Sequence, residues 1–266
     1  MIQLRIDRKQ YAGQTLFENF ELQLQPGELL CLLGPSGCGK TTLLNLIAGI
    51  DKRFDGQLGW SAGSDPAAQA KTISYMFQQP RLLPWRTVSQ NLALVIEPDQ
   101  HYRIAPLLAQ MGLAERADSY PNSLSLGMAR RVALARCLIV EPELILMDEP
   151  FVSLDPPTAQ EMRQQLQQIR QLRPQTSILF VTHDVREALT LADRILLLGG
   201  TPTQVLHRWC GPLEPSQRDA AFLAEQEPRL LDHYRLVATE GDDTNRSGQD
   251  RRSAENRAEP WRIASG

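Results

Sequence analysis

The segment Leu29-Leu30-Cys31-Leu32-Leu33-Gly34-Pro35-Ser36-Gly37-Cys38-Gly39-Lys40-Thr41-Thr42-Leu43-Leu44 constrains the chain more than any other. Five residues, four of them aliphatic, have the character of a buried strand; a glycine-rich turn follows, and from Thr41 the apolar spacing suits a helix. Gly34, Gly39, Lys40 and Thr41 fill the fixed positions of the phosphate-loop pattern G-x-x-x-x-G-K-[ST], in the strand–loop–helix context the pattern needs. Glycines let successive backbone N–H groups converge on phosphate oxygens, and a helix N-terminus adds unpaired donors and the positive end of its dipole. On this reading Gly34, Pro35, Ser36, Gly37, Cys38, Gly39, Lys40, Thr41 and Thr42 contact a nucleotide. Lys40 reaches the β- and γ-phosphates, and the Thr41 hydroxyl ligates Mg²⁺.

A chain of 266 residues can bury one large core, or one domain with a small appended subdomain. Its net charge of −3 gives no general electrostatic reason to bind nucleic acid, so none is expected as a partner. No basic-then-apolar leader opens the sequence, and runs such as Ser177-Ile178-Leu179-Phe180-Val181 fall far short of the roughly 20 residues a spanning helix requires. Any membrane link is therefore expected to be peripheral. Cys31, Cys38, Cys137 and Cys210 lack metal-ligand spacing and read as buried or half-buried thiols of a reducing cytosol.

Ile2-Gln3-Leu4-Arg5-Ile6 and Phe20-Glu21-Leu22-Gln23-Leu24 alternate apolar and polar residues, which predicts half-exposed antiparallel strands before a turn at Pro26-Gly27. Tyr11 follows the first of them; it either stacks on a nucleotide base or is a loop tyrosine with no ligand. The helix from Thr41 is expected to end at Gly49. Residues 50–70 read as polar turns, and Thr72–Phe77 as a further strand ending at Gln78-Gln79-Pro80. From about 80 to 140 the pattern is mainly helical, with Leu92, Val95 and Ile96 on one face and Leu107, Leu108 and Met111 on another, as in an inserted helical subdomain.

Unbroken apolar runs at Leu144–Met147, Ile178–Val181 and Ile195–Leu198, separated by helices, indicate strands of a mostly parallel sheet buried on both faces. Between the first two, Met162, Leu166 and Ile169 lie on one face of a helix. A short helical extension is expected over 211–239, carrying Phe222, Leu223, Leu230 and Leu231. The polar, mixed-charge residues 240–266 read as a disordered tail.

A phosphate loop alone leaves kinases, GTPases, helicases and transport ATPases open. Leu144-Ile145-Leu146-Met147-Asp148-Glu149 narrows the choice, because it sets two carboxylates where a buried strand ends, the edge at which open parallel sheets bind ligands. Asp148 is then placed to hold Mg²⁺, and Glu149 to polarise an attacking water.

Ser123-Leu124-Ser125-Leu126-Gly127-Met128-Ala129-Arg130-Arg131-Val132 resembles the signature motif of ATP-binding cassette proteins, usually written LSGGQ. By itself it is also an ordinary serine N-cap on an amphipathic helix. Phe77-Gln78 is similar to that family's Q-loop, Ser153-Leu154-Asp155 to its D-loop, and Thr182-His183-Asp184 to its switch histidine, in the family's order and across roughly residues 1–210. The resemblance implies an α/β fold: a P-loop NTPase, RecA-like core with a mostly parallel sheet, an N-terminal antiparallel β subdomain and an inserted α-helical signature subdomain. It implies ATP and Mg²⁺ as cofactors, with Thr41, Gln78 and Asp148 around the metal and Glu149, His183 and Gln78 as catalytic residues. It further implies that Tyr11 stacks on adenine, that Ser125, Leu126, Gly127 and Met128 reach the ATP of a facing second copy, and that Ser153 and Asp155 contact that copy.

Leu126 stands where the common signature has glycine, and Met128 where it has glutamine. Leucine is compatible with the motif if its backbone is already helical and its side chain points away from the nucleotide. These residues, with Arg81-Leu82-Leu83-Pro84-Trp85, look most like the nitrate/sulfonate/taurine branch of import ATPases, with pyrimidine-precursor importers also similar. The branch implies a homodimer on the cytoplasmic face of the bacterial inner membrane, a separate permease received near Arg81 and Trp85, and a periplasmic substrate-binding protein. Trp85 is otherwise subdomain core. A soluble cassette ATPase with a non-transport role is the alternative. Cys38 is a variable loop position whose alkylation a bound nucleotide should slow.

Overall fold

The computed structural model describes residues 2–11, 13–60, 73–212 and 218–255, with side chains up to residue 237. A three-stranded antiparallel sheet, in the order β2-β1-β4, comprises β1 (Ile2–Tyr11), β2 (Gln14–Leu24) and β4 (Asp55–Trp60). The second sheet has the order β5-β6-β7-β3-β8-β9. Its strands β3 (Leu29–Leu33), β5 (Ile73–Met76), β6 (Leu144–Asp148), β7 (Ser177–Thr182) and β8 (Arg194–Gly199) pair in parallel, while β9 (Gln204–Cys210) runs antiparallel to β8.

Both faces of the parallel sheet are covered, and alternate residues of each strand enter different cores. Leu30 and Leu32 of β3, Leu144 and Leu146 of β6, and Leu179 and Val181 of β7 pack with the antiparallel sheet and with Leu43, Leu44, Leu46 and Ile47 of α1 (Lys40–Ile47). Leu29, Cys31, Leu33, Ile145, Met147, Ile178 and Phe180 face the other way. There they meet α2 (Val88–Ala93), α3 (Ile104–Gln110), α4 (Leu126–Leu138), α5 (Pro156–Leu172) and α6 (Val185–Leu191). Met162, Leu166 and Ile169 of α5 are buried, as their spacing predicts.

Several expectations need correction. Residues 50–60 include β4, which pairs with β1; residues 61–70, read as turns, lie outside the described residues, as does Thr72. Strand β9 likewise follows no buried run, because both are edge strands whose residues stay mostly exposed or half-exposed. Val95 does not share the buried face of Leu92: α2 stops at Ala93, and Val95 is exposed. The C-terminal helix α7 (Ala220–Glu255) is not short, and its backbone stays helical over 240–255. Once nucleated, each added residue gains one hydrogen bond, so a polar stretch can continue a helix begun by packed residues such as Leu230 and Val237. The remainder of the expected tail, residues 256–266, lies outside the described residues.

The segment leading into α7 is anchored by a partly buried charge cluster. Asp193 accepts from the Leu29 backbone N–H at 2.9 Å, from Arg170 at 2.6 Å and from the buried Arg218 at 3.2 Å. The Asp193→Asn exchange leaves Arg218 without its counter-charge, so it is expected to lower unfolding free energy by about 3 kcal/mol in urea titration. The double exchange with Arg218→Met should cost less; an equal or larger loss would contradict the pairing.

Helices α4 and α5 meet where a Cβ on Gly127 would lie 2.3 Å from Thr158 Cγ2, so a larger residue there forces Thr158 to shift. Gly127→Ala should therefore destabilise by about 1–3 kcal/mol through overpacking. Thr158→Ser, which removes the methyl and keeps the hydroxyl, should restore most of that loss in the same titration. Failure of the second exchange to rescue would show that the contact is not the cause.

Candidate active site

The parallel strands β5, β6, β7 and β3 are consecutive in the sheet, so their C-terminal ends share one edge. From that edge come Gln78 after β5, Asp148 and Glu149 at the end of β6, His183 after β7, and the loop Gly34–Gly39 between β3 and α1. Gly39 caps α1 with φ 90°, a conformation that favours glycine, and no side chain caps this helix. By contrast, α4, α5 and α6 are capped by Ser125, Asp155 and Asp184. The first-turn N–H groups of α1 thus have no side-chain acceptor and suit an anion.

Lys40 is 6% exposed and donates to the carbonyls of Gly34 at 2.7 Å and Pro35 at 2.8 Å. The Thr41 hydroxyl donates to Asp148 Oδ1 at 3.1 Å, joining the loop to β6. Burial pushes the Asp148 carboxyl above its ordinary value; the Thr41 hydrogen bond opposes this and the neighbouring Glu149 charge adds to it. Thr41, Asp148 and the Gln78 amide offer hard oxygen donors, the kind of set Mg²⁺ takes.

Glu149 holds an unusual backbone φ of 46°. Its carboxylate lies between two groups from neighbouring strand ends: Gln78 Nε2 donates to Oε2 at 3.4 Å, and His183 Nδ1, bearing its proton, donates to Oε1 at 3.2 Å. The structure therefore brings together Gln78, Glu149 and His183, and separately Thr41 and Asp148. Pro35, Ser36, Gly37, Cys38 and Thr42 occupy the same loop and first turn.

Other expected residues lie apart from this cluster. Tyr11, at the end of β1, is 68% exposed, as a ring waiting for a partner or an unliganded surface tyrosine would be. Ser125 uses its side chain to cap α4, accepting from the Met128 N–H at 3.2 Å. Leu126 opens the helix without positive φ, which meets the backbone condition for leucine there, and its side chain is exposed; Met128 packs against the core. Ser153 has φ 61°, and Asp155 accepts from both the N–H and hydroxyl of Thr158, which lowers its carboxyl from the usual range.

Trp85 is not subdomain core, since it is 68% exposed. It sits on a turn stapled from beneath by the buried Asn91. That amide donates to the carbonyls of Leu83, Arg86 and Thr87, and its oxygen accepts the Leu83 N–H. Arg136 of α4 donates to the carbonyls of Pro80 and Arg81, tying the segment after Gln78 to the same helical layer. Sequence reasoning missed Asn91 and Arg136, whose acceptors are backbone atoms set by the fold; a polar residue at a buried helical position was the available sign. Cys38 is a poorer probe than expected, because burial raises its thiol above the ordinary value, while Cys210 is exposed.

Residues 17–152 match the family model described as ABC transporter. The chain is 39% identical over 233 residues to an aliphatic sulfonates import ATP-binding protein, SsuB 1, of Pseudomonas savastanoi pv. phaseolicola, covering 87% of this chain and 94% of that one. A Pseudomonas aeruginosa protein of the same name is 42% identical over 227 residues, covering 82% and 90%. Among solved structures, the ATP-binding cassette MJ0796, described as a dimeric post-hydrolysis state bound to ADP and Pi, superposes with a TM-score of 0.67 at 28% identity, covering 79% of this chain and 98% of that one. With the phosphate loop, the paired carboxylates and the histidine on one sheet edge, this chain belongs to the ABC transporter family, as an ATP-hydrolysing subunit of its import branch.

Proposed function

We propose that the chain binds Mg-ATP along the edge formed by β3, β5, β6 and β7 and hydrolyses it to drive uptake of a small aliphatic sulfonate. The observation that carries the hydrolytic part is the Glu149 carboxylate, held at the sheet edge by Gln78 at 3.4 Å and His183 at 3.2 Å. The loop Gly34–Thr42 cradles the triphosphate. Lys40 exchanges its carbonyl contacts for the β- and γ-phosphates, and Tyr11 stacks on adenine. Glu149 accepts a proton from a water as its oxygen attacks the γ-phosphorus in line, and the bond to the β–γ bridging oxygen breaks to give ADP and inorganic phosphate. Gln78 and His183 orient the carboxylate, the water and the γ-phosphate. Thr41, Asp148 and Gln78 would hold Mg²⁺, whose charge when bound offsets that of the phosphates.

One chain leaves the γ-phosphate side open. The Ser125–Met128 turn of a second copy closes it, with Ser153 and Asp155 touching that copy. The dimeric state named for the MJ0796 cassette supports this arrangement. Exposed Trp85 on its stapled turn supports a docking surface for a separate permease at the cytoplasmic face of the inner membrane, fed by a periplasmic substrate-binding protein. No helix among the described residues is long and apolar enough to cross a membrane. The sulfonate class rests on the names of the relatives, which also disfavour a non-transport role.

The Glu149→Gln exchange should leave ATP binding intact and slow turnover by at least about 10²-fold, the usual worth of a general base. Hydrolysis at the parent rate would remove Glu149 from that role. For the solute, deleting the gene should abolish growth on an aliphatic sulfonate as sole sulfur source and spare growth on sulfate. Undiminished growth on the sulfonate would overturn the assignment.

A further inference from the structure

Arg130 takes no part in the hydrolytic chemistry described so far, yet it is 3% exposed and charged. It lies on α4, shortly beyond the Ser125–Met128 turn, and its Nη1 donates to the Pro150 carbonyl at 2.6 Å. Its Nε is also buried and finds no acceptor among the described residues. A guanidinium taken out of water for one close carbonyl contact is costly, so its effect on what it holds is the place to look.

What it holds is the turn that presents Glu149. At φ 46° that residue occupies a region few non-glycine side chains adopt, and such a conformation persists only where surrounding contacts impose it. Three contacts do so here. The Glu149 N–H donates to the Val181 carbonyl at 3.1 Å, the Val152 N–H donates to the Glu149 carbonyl at 3.3 Å, and Arg130 grips the next carbonyl, that of Pro150. Burial opposes the Arg130 charge, whereas the Glu187 and Glu149 carboxylates favour it.

The other end of the same segment rests on the same helix. Gly127 abuts Thr158, whose N–H and hydroxyl donate to Asp155 at 3.1 and 3.0 Å. Residues 149–158 are thus pinned at both ends to the first turns of α4.

We propose that Arg130 is a positioning residue for hydrolysis: it fixes the Glu149–Pro150 turn so that the carboxylate stays between Gln78 and His183. Because Arg130 shares α4 with Gly127, and Ser125 caps that helix, it ties that setting to the position of the signature helix. A nucleotide of the facing copy seated on Ser125–Gly127 is then felt at the Glu149 of the same chain. The inference rests on the reading of Glu149 as the base.

The test compares the purified full chain with Arg130→Met, Arg130→Gln and Arg130→Lys, measuring kcat and KM for Mg-ATP, affinity for a fluorescent ATP analogue, and melting temperature. Arg130→Met should lower kcat about 10- to 100-fold, the worth of one charge-assisted hydrogen bond. KM and analogue affinity should stay within about threefold of the parent, because the exchange removes orientation rather than nucleotide contacts. Arg130→Lys, which keeps a charged donor, should recover kcat above Arg130→Met and Arg130→Gln, whatever the order of the melting temperatures.

A kcat for Arg130→Met within about twofold of the parent, or a loss confined to nucleotide affinity, would overturn the proposal. If Arg130→Met does not fold, Arg130→Lys against Arg130→Gln decides, and equal kcat in those two also overturns it. A Glu149→Gln chain as active as the parent removes the reading of Glu149 and this proposal with it; an inactive Glu149→Gln chain beside a fully active Arg130→Met chain removes only this proposal.

Discussion

The parallel pairing of β6 with β7 and of β7 with β3 sets where the phosphate loop, the two carboxylates and the histidine of the site stand. Leu33 lies opposite Thr182, and Asp148 opposite Val181, so three strands end within a residue of one another. Their next residues, Gly34, Glu149 and His183, leave the sheet side by side. This register is strongly specified because both faces are buried: a slip of one residue would exchange the side chains that enter the two cores. Apolar burial on either side of the sheet therefore controls the position of a carboxylate and an imidazole that lie beyond the strand ends. Burying each leucine contributes about 1.5–3 kcal/mol, which makes the sheet edge stiff compared with any single polar contact at the site.

The residues proposed to meet phosphate and its hydrolytic water were legible in the sequence because the chemistry proposed for them admits few alternatives. Gly39 must take a left-handed turn, Lys40 must follow it, and two acids must end a buried strand. Central strands were legible for a related reason, since burial on both faces leaves an unbroken apolar run. Edge strands β4 and β9 carry no such run, and pairing with β1 and β8 rather than composition makes them strands. Val95 shows the limit of periodicity, because the α2 helix stops before the residue that the pattern would have buried.

Least legible were polar side chains that act on backbone. Asn91, Arg130 and Arg136 all bind carbonyls, and every residue type has a carbonyl, so no partner residue marks the contact in the sequence. Gly127 belongs to the same class. The signature resemblance reads it as reaching the nucleotide of a facing copy, whereas the contact that a side chain there would meet is with Thr158, 31 positions away and visible only once α4 and α5 are packed. Such contacts give the site its rigidity. They hold the Trp85 turn, the segment after Gln78 and the Glu149 turn to one helical layer, so a force applied to that layer reaches the catalytic edge through hydrogen bonds and close packing rather than through flexible loop.

The electrostatics of the edge follow from how little counter-charge the chain itself supplies. Lys40 is buried with two carbonyls as its close oxygen partners, and Asp148 is buried with a hydroxyl, so each carries a desolvation cost that these neutral groups, with the lesser attraction of Asp148 to Lys40 and Arg81, only partly offset. The raised carboxyl of Asp148 is the sign of that cost. A phosphate arriving alone would relieve Lys40 but bring negative charge towards Asp148 and Glu149, and a divalent cation arriving alone would relieve Asp148 while repelling Lys40. Only a ligand carrying both charges relieves both at once, and the low dielectric that penalises the empty arrangement strengthens each of the new contacts. On the proposed reading, the site therefore selects the metal–nucleotide ion pair over either component, and it does so with groups whose burial the parallel sheet has already enforced.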